Sequence, residues 1–554
     1  MKKTTFTSNR LERVNTSFKS TFFIVTITLL FGCTKKFESF NTDPTGITKD
    51  QLKIDFNNIG LYYPGIQQNI FSNYGMYQLI QNLNADNYCG YYQSADPFRG
   101  NINNQNYFLV SGWNDYIYAV AYGDVMGPVR KIESEGTRTE APDYWAIALI
   151  LQVQAMSRVT DYYGPIPYSK VGLDNATPYD AQKDVYDLFF KQLDTAVSNL
   201  EAYIATFPGS KPFAKYDMIY AGNYTQWLKY ANSLRLRLAM RIVNIDPNTA
   251  KTQALLALNN PAGLIETNTD NAGISGFGYQ NPIWYVGTVW VDLACNASLI
   301  TYLTGYNDPR LSKYCYPAGK MAPAPPGYEG KYLGIRAGTP VGAKPMYNGY
   351  SFPNFDIIQQ YSPIVTMNAA EVWFLKAEAA LRGWTTGNAQ DDYETGINTS
   401  MAQWGVSAGN YLNDNTSTQA DYVDPLTPTA GVPNASISAV STITIKWDPA
   451  ATKEQNLERI ITQKWIAMWP SGGYEAWAEY RRTGYPRLFP VVVNNSGGTI
   501  STDLQIRRIE YPSTEYTNNP TGVAGGVSLL GGPDKGGTPV WWDTNKGRAN
   551  PVNF

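Results

Sequence analysis

Histidine is absent from the 554 residues of this chain. Its absence excludes histidine-dependent catalytic triads, histidine general bases and the commonest zinc sites. The sequence also contains no phosphate-binding loop and no GxSxG motif, and the acidic segment 390–393 does not fit an EF-hand. We therefore predict no catalytic residue, no cofactor and no metal-binding residue, while a structural calcium ion stays open.

Cysteine is scarce as well, with four residues in the whole chain. Three of them, Cys89, Cys295 and Cys315, lie in the body of the sequence, and none belongs to a CxxC pair. In an oxidising compartment Cys295 and Cys315 are able to form a disulfide bond, and the odd count then leaves one thiol free. The sequence favours buried thiols but leaves the disulfide open.

Charged residues and long apolar runs are also scarce. Charged residues make up 16% of the chain, and the formal net charge is −2. No basic stripe is present, which argues against nucleic acid as a partner. The apolar run at residues 21–31 has only 11 residues, whereas a membrane-spanning helix needs about 20.

That apolar run is typical of a secretory signal peptide. Five basic residues accompany it, and it ends in Gly32 followed by Cys33. A cysteine directly after a small residue is the pattern of a bacterial lipobox, in which the thiol receives a diacylglycerol group. We predict that residues 1–32 are removed and that Cys33 is the site of lipid attachment; an ordinary signal peptide with a coincidental cysteine is the alternative.

Removal of residues 1–32 takes away five basic residues and one acidic residue, so the formal charge moves from −2 to −6. The polar residues 33–50 are predicted to form an extended tether. Residues 51–554 are predicted to form a single composite domain.

Apolar residues recur at steps of three and four through much of this domain, which is the helical period. The predicted fold class is mainly α, with four helix–turn–helix pairs that resemble tetratricopeptide repeats in length. The helical scaffold is assigned to 51–259, 366–404 and 452–488. Between these ranges lie glycine-, proline- and asparagine-rich segments with little strand pattern, which we expect to pack together as an irregular, β-poor lobe: 260–365, 406–450 and 490–554.

The segment 458–488 is the centre of this prediction. Thr452 and Gln455 have capping-box spacing before its first helix, and Pro470 and the glycine pair 472–473 turn the chain into a second helix. Such a hairpin has two apolar stripes and needs neighbours on both sides. Tryptophans at helical spacing here are predicted to be core, and nearby arginines are predicted to pair with glutamates and carbonyls: Trp465, Trp469, Trp477, Arg481, Arg482, Arg507 and Arg508.

Aromatic residues are plentiful, with 41 tyrosines, 21 phenylalanines and 14 tryptophans. A flat ring covers the apolar face of a pyranose, and neighbouring amide or charged groups bind its hydroxyls. Two loop segments have this mixture, 88–99 and 277–290. The residues predicted to contact a ligand are Tyr91, Tyr92, Phe98, Arg99, Tyr279, Asn281, Trp284, Tyr285 and Trp290.

A glycan hydrolase is the alternative from another functional class, because such an enzyme uses two nearby carboxylates. Glu371 and Glu378 share one helical face, as do Glu475 and Glu479. Pairs at this spacing are more often solvated or in ion pairs, so we predict a binding protein and not an enzyme.

Several long motifs, in this order, resemble the SusD/RagB family of outer-membrane lipoproteins of the Bacteroidetes. They are FNTDPTGIT after the lipid cysteine, DYYGPIPYSK (161–170), KYANSLRLRLAMRI (229–242), NDPRL (307–311), TMNAAEVWFLKAEAALRGW (366–384), the segment 458–488, and RRIEYPSTEYTNN (507–519). The resemblance covers nearly all of the chain after Cys33.

This resemblance implies four tetratricopeptide-like helix pairs with a less regular lobe that holds the ligand. It also implies a protein of the outer membrane, anchored by its lipid and facing the cell exterior, which acts as a lid on a SusC-like TonB-dependent β-barrel transporter. The implied ligand is an oligosaccharide or a peptide. A transporter lid with no ligand of its own is a further alternative.

Overall fold

A computed structural model describes residues 53–172, 177–426, 433–545 and 551–554. The predicted signal peptide, the lipid-attachment residue Cys33 and the predicted tether lie outside the described residues. Residues Ile59–Phe554 form one compact unit, and the described residues before Ile59 belong to a separate N-terminal unit. Among the residues described, no helix is both long and apolar enough to cross a bilayer.

The first half of the chain is almost entirely helical. Its helices are α1 (Asn57–Gly60), α2 (Tyr63–Phe71), α3 (Tyr74–Tyr77), α4 (Ala85–Tyr88), α5 (Ser111–Val120), α6 (Gly127–Ser134), α7 (Thr137–Glu140), α8 (Pro142–Tyr163), α9 (Gln182–Thr206), α10 (Tyr224–Arg241) and α11 (Pro247–Leu258). Helix α3 continues into a π-helical turn, Gln78–Asn82, and α5 into another, Ala121–Met126.

The second half alternates short helices with irregular chain. Its helices are α12 (Pro282–Thr288), α13 (Ala297–Gly305), α14 (Leu311–Tyr314), α15 (Ala369–Leu381), α16 (Ala389–Gln403), α17 (Lys453–Met468), α18 (Gly473–Thr483), α19 (Ser513–Asn518) and α20 (Pro520–Leu530). Four short strands form two antiparallel two-stranded sheets, β1 (Tyr92–Gln93) with β3 (Ala294–Cys295) and β2 (Ala272–Ile274) with β4 (Ile364–Met367). The predicted mainly α fold class is confirmed.

Long antiparallel helices pack in pairs. The most extensive contacts join α8 to α9, α10 to α11, and α15 to α16, and α15 also packs on α17. The sequence prediction did not include α11, although Asp246 caps its N-terminus and Pro247 occupies its first turn. These are favourable helix-start residues, so the signal was present in the sequence.

Helices α17 and α18 lie at the centre of the molecule, as predicted. Thr452 and Gln455 form the capping box, with each side chain bonded to the backbone of the other residue. Every residue from 456 to 469 is buried, including Trp465 and Trp469, and Trp477 of α18 is buried too. Because both faces of this hairpin are covered, its charged residues are buried as well.

Those charges form a cluster that we call the buried ion cluster: Arg237, Arg241, Glu371, Glu378, Lys464, Glu475, Glu479 and Arg482. Arg237 donates to both oxygens of Glu371 at 2.7 Å. Arg482 donates to both oxygens of Glu378, at 2.8 and 2.7 Å, and of Glu479, at 2.9 and 2.7 Å. Burial alone would raise the pKa of Glu479, but Arg482, Lys464 and Arg241 hold it well below its usual range.

The other arginines that the sequence singled out are also structural. Arg481 lies over the ring of Trp477, 3.7 Å from its centroid, and 4.8 Å from the centroid of Trp542. Its guanidinium donates to the carbonyls of Asp161 and Arg507. Arg507 pairs with Asp543, and Arg508 with Asp534, within the C-terminal segment. Arg508 also donates to the carbonyl of Tyr163 in α8, and this contact fastens the C-terminal segment to the helical scaffold.

We expect Glu371→Gln to lower the free energy of unfolding by about 3–5 kcal/mol, because it removes the carboxylate that accepts two hydrogen bonds from the buried Arg237 and leaves that guanidinium only Glu475, at 3.8 Å, as a counter-charge. The matched control is Asp194→Asn. Asp194 pairs with Arg235 of the same helix as Arg237 but is 58% exposed, so its loss should cost less than about 1 kcal/mol. Denaturant unfolding of both variants measures the difference, and equal losses would contradict a dominant role for the cluster.

Candidate functional site

Four partly exposed rings meet beside the irregular lobe, and we call them the aromatic platform: Tyr74, Trp284, Tyr285 and Trp290. Tyr74 and Tyr285 stack, with centroids 3.7 Å apart and planes inclined by 13°. Trp290 stands across this pair, 5.5 Å from Tyr285 and 5.8 Å from Tyr74. Trp284 meets Tyr285 edge-on at 6.4 Å. The platform therefore presents a corner of two nearly perpendicular aromatic surfaces.

Two capped helices hold these rings. Asn73 caps α3, and its side-chain oxygen accepts from the amides of Gly75 and Met76. Asn281 caps α12 in the same way, accepting from the amides of Ile283 and Trp284. Tyr74, Trp284 and Tyr285 thus project from the first turns of two short helices, whose directions are fixed by their caps, and Trp290 follows the C-terminal end of α12.

A lysine joins the platform to the neighbouring loops. The Lys344 ammonium donates to the carbonyl of Trp290 at 2.6 Å, contacts Asp292, and lies 3.6 Å from Asp96. Asp292 also accepts from Gln78 at 3.1 Å. We call Lys344, Asp96 and Asp292 the lysine clamp. Burial raises the pKa of Asp292, and the Lys344 ammonium opposes that shift.

The lysine clamp brings both predicted ligand-binding segments together. Asn101 exchanges two hydrogen bonds with the backbone of Val341, at 3.0 and 2.9 Å, and ties the loop of the first segment to the loop that carries Lys344. Phe98 is partly exposed on this loop and Arg99 is exposed. Asp96 of the first segment and Trp290 of the second therefore meet through Lys344, whereas the Phe98 ring packs against Trp113.

The loops around the platform carry unusual backbone. Arg99, Phe277 and Val291 adopt φ angles of 54°, 53° and 55°. Left-handed conformation is costly for such residues, above all for β-branched valine, and it persists where the surroundings impose it. Exposed apolar side chains also lie on these loops, with Phe277 at 57%, Val289 at 51% and Met346 at 49% exposed.

The structure contradicts the predicted ligand contacts of Tyr91 and Tyr92, because both rings are completely buried. The Tyr91 hydroxyl donates to the carbonyl of Trp465, and its ring lies 5.5 Å from the Trp465 ring. The Tyr92 hydroxyl donates to the carbonyl of Pro470 at 3.0 Å. Strand β1 carries Tyr92 against β3, so this part of the first segment is core.

Tyr279 and Asn281 are wrong as direct contacts for the same reason. Tyr279 is buried, and its hydroxyl donates to the carbonyl of Ser72 at 2.6 Å. Asn281 is buried too; besides capping α12, its amide donates to the carbonyl of Ser362 at 3.1 Å. Both residues therefore support the backbone that carries the platform.

Sequence reasoning missed several residues of this surface. Tyr74 and Gln78 lie one turn apart on the helix whose other face, with Tyr77 and Gln81, is buried. A tyrosine on the side of a helix opposite its buried face is a weak indication of a surface site. Nothing in the sequence indicated Lys344, because its contacts with Trp290 and Asp292 are made between loops that are distant in the chain.

A buried carboxylate supports the π-helical turn beneath Tyr74. Asp86 accepts from the Tyr77 hydroxyl at 2.7 Å and from the Gln81 amide at 2.9 Å. A Cβ on Gly473 would lie 1.8 Å from an Asp86 oxygen, so glycine is required where the carboxylate meets the start of α18. Burial raises the pKa of Asp86 to about 7.

The carboxylate pairs that a hydrolase would need lie elsewhere. Glu371, Glu378, Glu475 and Glu479 all belong to the buried ion cluster, where each contacts a cation. In the described ranges, no group of three or more acidic or cysteine residues is arranged to hold a metal ion. The platform places aromatic rings beside amide and charged groups, a combination that can contact both the apolar and the polar parts of a ligand.

A helical-repeat scaffold that carries a ring-lined surface on an irregular lobe defines the class of this protein. The family model described as "SusD-like: Susd and RagB outer membrane lipoprotein" matches residues 39–543. The chain belongs to this family of outer-membrane lipoproteins. No curated protein matches the chain.

Solved structures agree with this assignment. A chitin-binding SusD homologue from Flavobacterium johnsoniae is 41% identical, with a TM-score of 0.83, 90% of this chain covered and 100% of that chain. A SusD homologue from Bacteroides vulgatus is 38% identical, with a TM-score of 0.84 and coverages of 89% and 99%. A SusD-like protein from Bacteroides thetaiotaomicron is 32% identical, with a TM-score of 0.81 and coverages of 88% and 99%.

We expect the stability of the protein to fall as the pH rises from about 4 towards 7, in part through Asp86. Its pKa in the folded state is raised to about 7 from 3.8, so the folded state holds a proton that the unfolded state has lost across this window. Between pH 5 and pH 7.5 the wild type should lose roughly 2 kcal/mol more than Asp86→Asn, which does not titrate there. Denaturant unfolding at both pH values tests this, and parallel pH profiles would disprove it.

We expect Lys344→Met to release the loop of Trp290, because it removes the cation from the buried Asp292 and the donor to the Trp290 carbonyl. The change should lower the free energy of unfolding by about 1–3 kcal/mol and alter the tryptophan emission. Lys344→Arg keeps the charge and is the matched control. Unchanged emission in Lys344→Met would show that the clamp does not position the ring.

Proposed function

We propose that this protein captures oligosaccharides on the aromatic platform and delivers them to a SusC-like TonB-dependent transporter, for which it acts as the lid. The observation that carries the proposal is the partly exposed corner formed by the Tyr74–Tyr285 stack and Trp290. The lipid on Cys33 would hold the protein on the outer membrane, facing the cell exterior.

The geometry of the platform suits a sugar chain. A pyranose has a flat face of C–H bonds that packs on an aromatic ring, and a rim of hydroxyls that need hydrogen-bonding partners. The stack offers one ring surface and Trp290 a second one nearly perpendicular to it. Gln78, Asp96 and Lys344, all partly exposed, supply donors and acceptors beside these rings.

The ligand class that we propose is an oligosaccharide of N-acetylglucosamine. Support comes from the chitin-binding homologue, which is 41% identical over its whole length. The acetamido group of such a sugar adds a methyl group for ring contact and an amide for hydrogen bonding, and both chemistries are present on this surface. A moderate affinity is expected, because a carrier must release its cargo to the transporter.

Two alternatives remain as outcomes of the test. A lid without a ligand of its own would bind no glycan. A hydrolase would cut the glycan, and the carboxylates beside the platform, Asp96 and Asp292, would be the residues to replace. Both carboxylates contact the Lys344 ammonium, and Asp292 also accepts a hydrogen bond from Gln78, so both are engaged in the lysine clamp.

Calorimetric titration with chito-oligosaccharides of four to six sugars tests the proposal. We expect saturable binding, and at least a 10-fold weakening in Tyr285→Ala and in Trp290→Ala, about 1.4 kcal/mol each. Cello-oligosaccharides, which lack the acetamido group, should bind more weakly.

Phe207→Ala is the matched control, because it removes a ring that is 54% exposed on the helical scaffold and should leave the affinity unchanged. Product analysis after the titration detects cleavage, and purification of the tagged lipoprotein from outer membranes detects a bound β-barrel protein. Failure of every glycan to bind, or equal affinity in all three variants, would refute the assigned site.

A further inference from the structure

Two cysteines meet in the irregular lobe. The Sγ atoms of Cys295 and Cys315 lie 3.0 Å apart, and both side chains are completely buried. Cys89 is separate: its thiol donates to the carbonyl of Asp86 at 3.4 Å. Of the three thiols described, two therefore face each other and the third faces a backbone oxygen.

The backbone holds this pair in place. The amide of Cys295 donates to the carbonyl of Ser351, and its carbonyl accepts from Ile335, both at 2.9 Å. Cys315 forms an antiparallel bridge with Pro353. Because residues 351 and 353 belong to one segment, that segment sets the spacing between the two cysteines, and the thiols have little room to separate.

We propose that Cys295 and Cys315 form a disulfide bond in the exported protein. A lipoprotein of the outer membrane passes through an oxidising compartment, where such bonds form and persist. The thiolate of one cysteine would attack the disulfide of an envelope dithiol–disulfide oxidoreductase, and the second thiolate would then resolve the mixed disulfide. Two electrons and two protons leave with the oxidoreductase, which is released as the dithiol.

The reaction requires only a small movement, since the sulfur atoms must approach by about 1 Å to reach bonding distance. Because both thiols are buried in the folded protein, the oxidoreductase must react with them during folding, before the lobe closes over them. Cys295 lies in β3, three residues after Asp292 of the lysine clamp. The bond would therefore link β3, which follows the lysine clamp in the chain, to the C-terminal end of α14.

Thiol counting in the full-length lipoprotein tests the inference. The protein is extracted in detergent without reductant from acid-quenched cells, unfolded, alkylated and mapped as peptides. We expect alkylation at Cys89 alone and a linked peptide pair containing Cys295 and Cys315, with all three alkylated after reduction. Alkylation of Cys295 and Cys315 before reduction, or a bond from either one to Cys89, would overturn the proposal. Peptide mapping keeps this result separate from the state of Cys33.

Thermal unfolding of cysteine variants gives an independent readout. Cys295→Ser and Cys315→Ser should each lower Tm by a few °C, and the double variant by no more than either single change, because one bond is lost in each case. Cys89→Ser is the control, and its effect should add to that of the others. Reduction of the wild type should lower Tm by a similar amount. Additive losses in the double variant, or a Tm insensitive to reductant, would contradict a disulfide.

Discussion

The fold depends on burying a charged helical hairpin on both of its faces. Helices α17 and α18 have partners on every side, so Lys464, Glu475, Glu479 and Arg482 have no access to water. Buried charges are tolerated only when they are paired and hydrogen-bonded. The arginines of α10 and the glutamates of α15 supply the opposite charges. These ion pairs fix how the helix pairs of the scaffold approach one another.

The scaffold in turn determines where the rings lie. Asp86 links the π-helical turn beneath Tyr74 to the first residue of α18, and β1 carries Tyr92 from the same region into a sheet with β3. The platform is therefore supported from the central hairpin outwards. Tyr74, Trp284 and Trp290 pack against the core and remain partly exposed.

Much of the scaffold was predictable because its signals are local. Periodicity, the capping box at Thr452 and the turn at the glycine pair each involve residues close in the chain. The site was predictable only in part. A tyrosine in a polar loop has the same composition whether it faces solvent or core, and burial of Tyr91 and Tyr92 is decided by Trp465 and Pro470, far away in sequence. The contribution of Lys344 was invisible for the same reason.

The stacked pair at the centre of the platform joins one ring from the start of the described chain to another from its middle. The two rings can stack only after the chain between them has folded and brought them together. A chain truncated before Tyr285 thus lacks the stack. Under the proposed function, ligand binding would consequently require a chain that has folded completely around both rings.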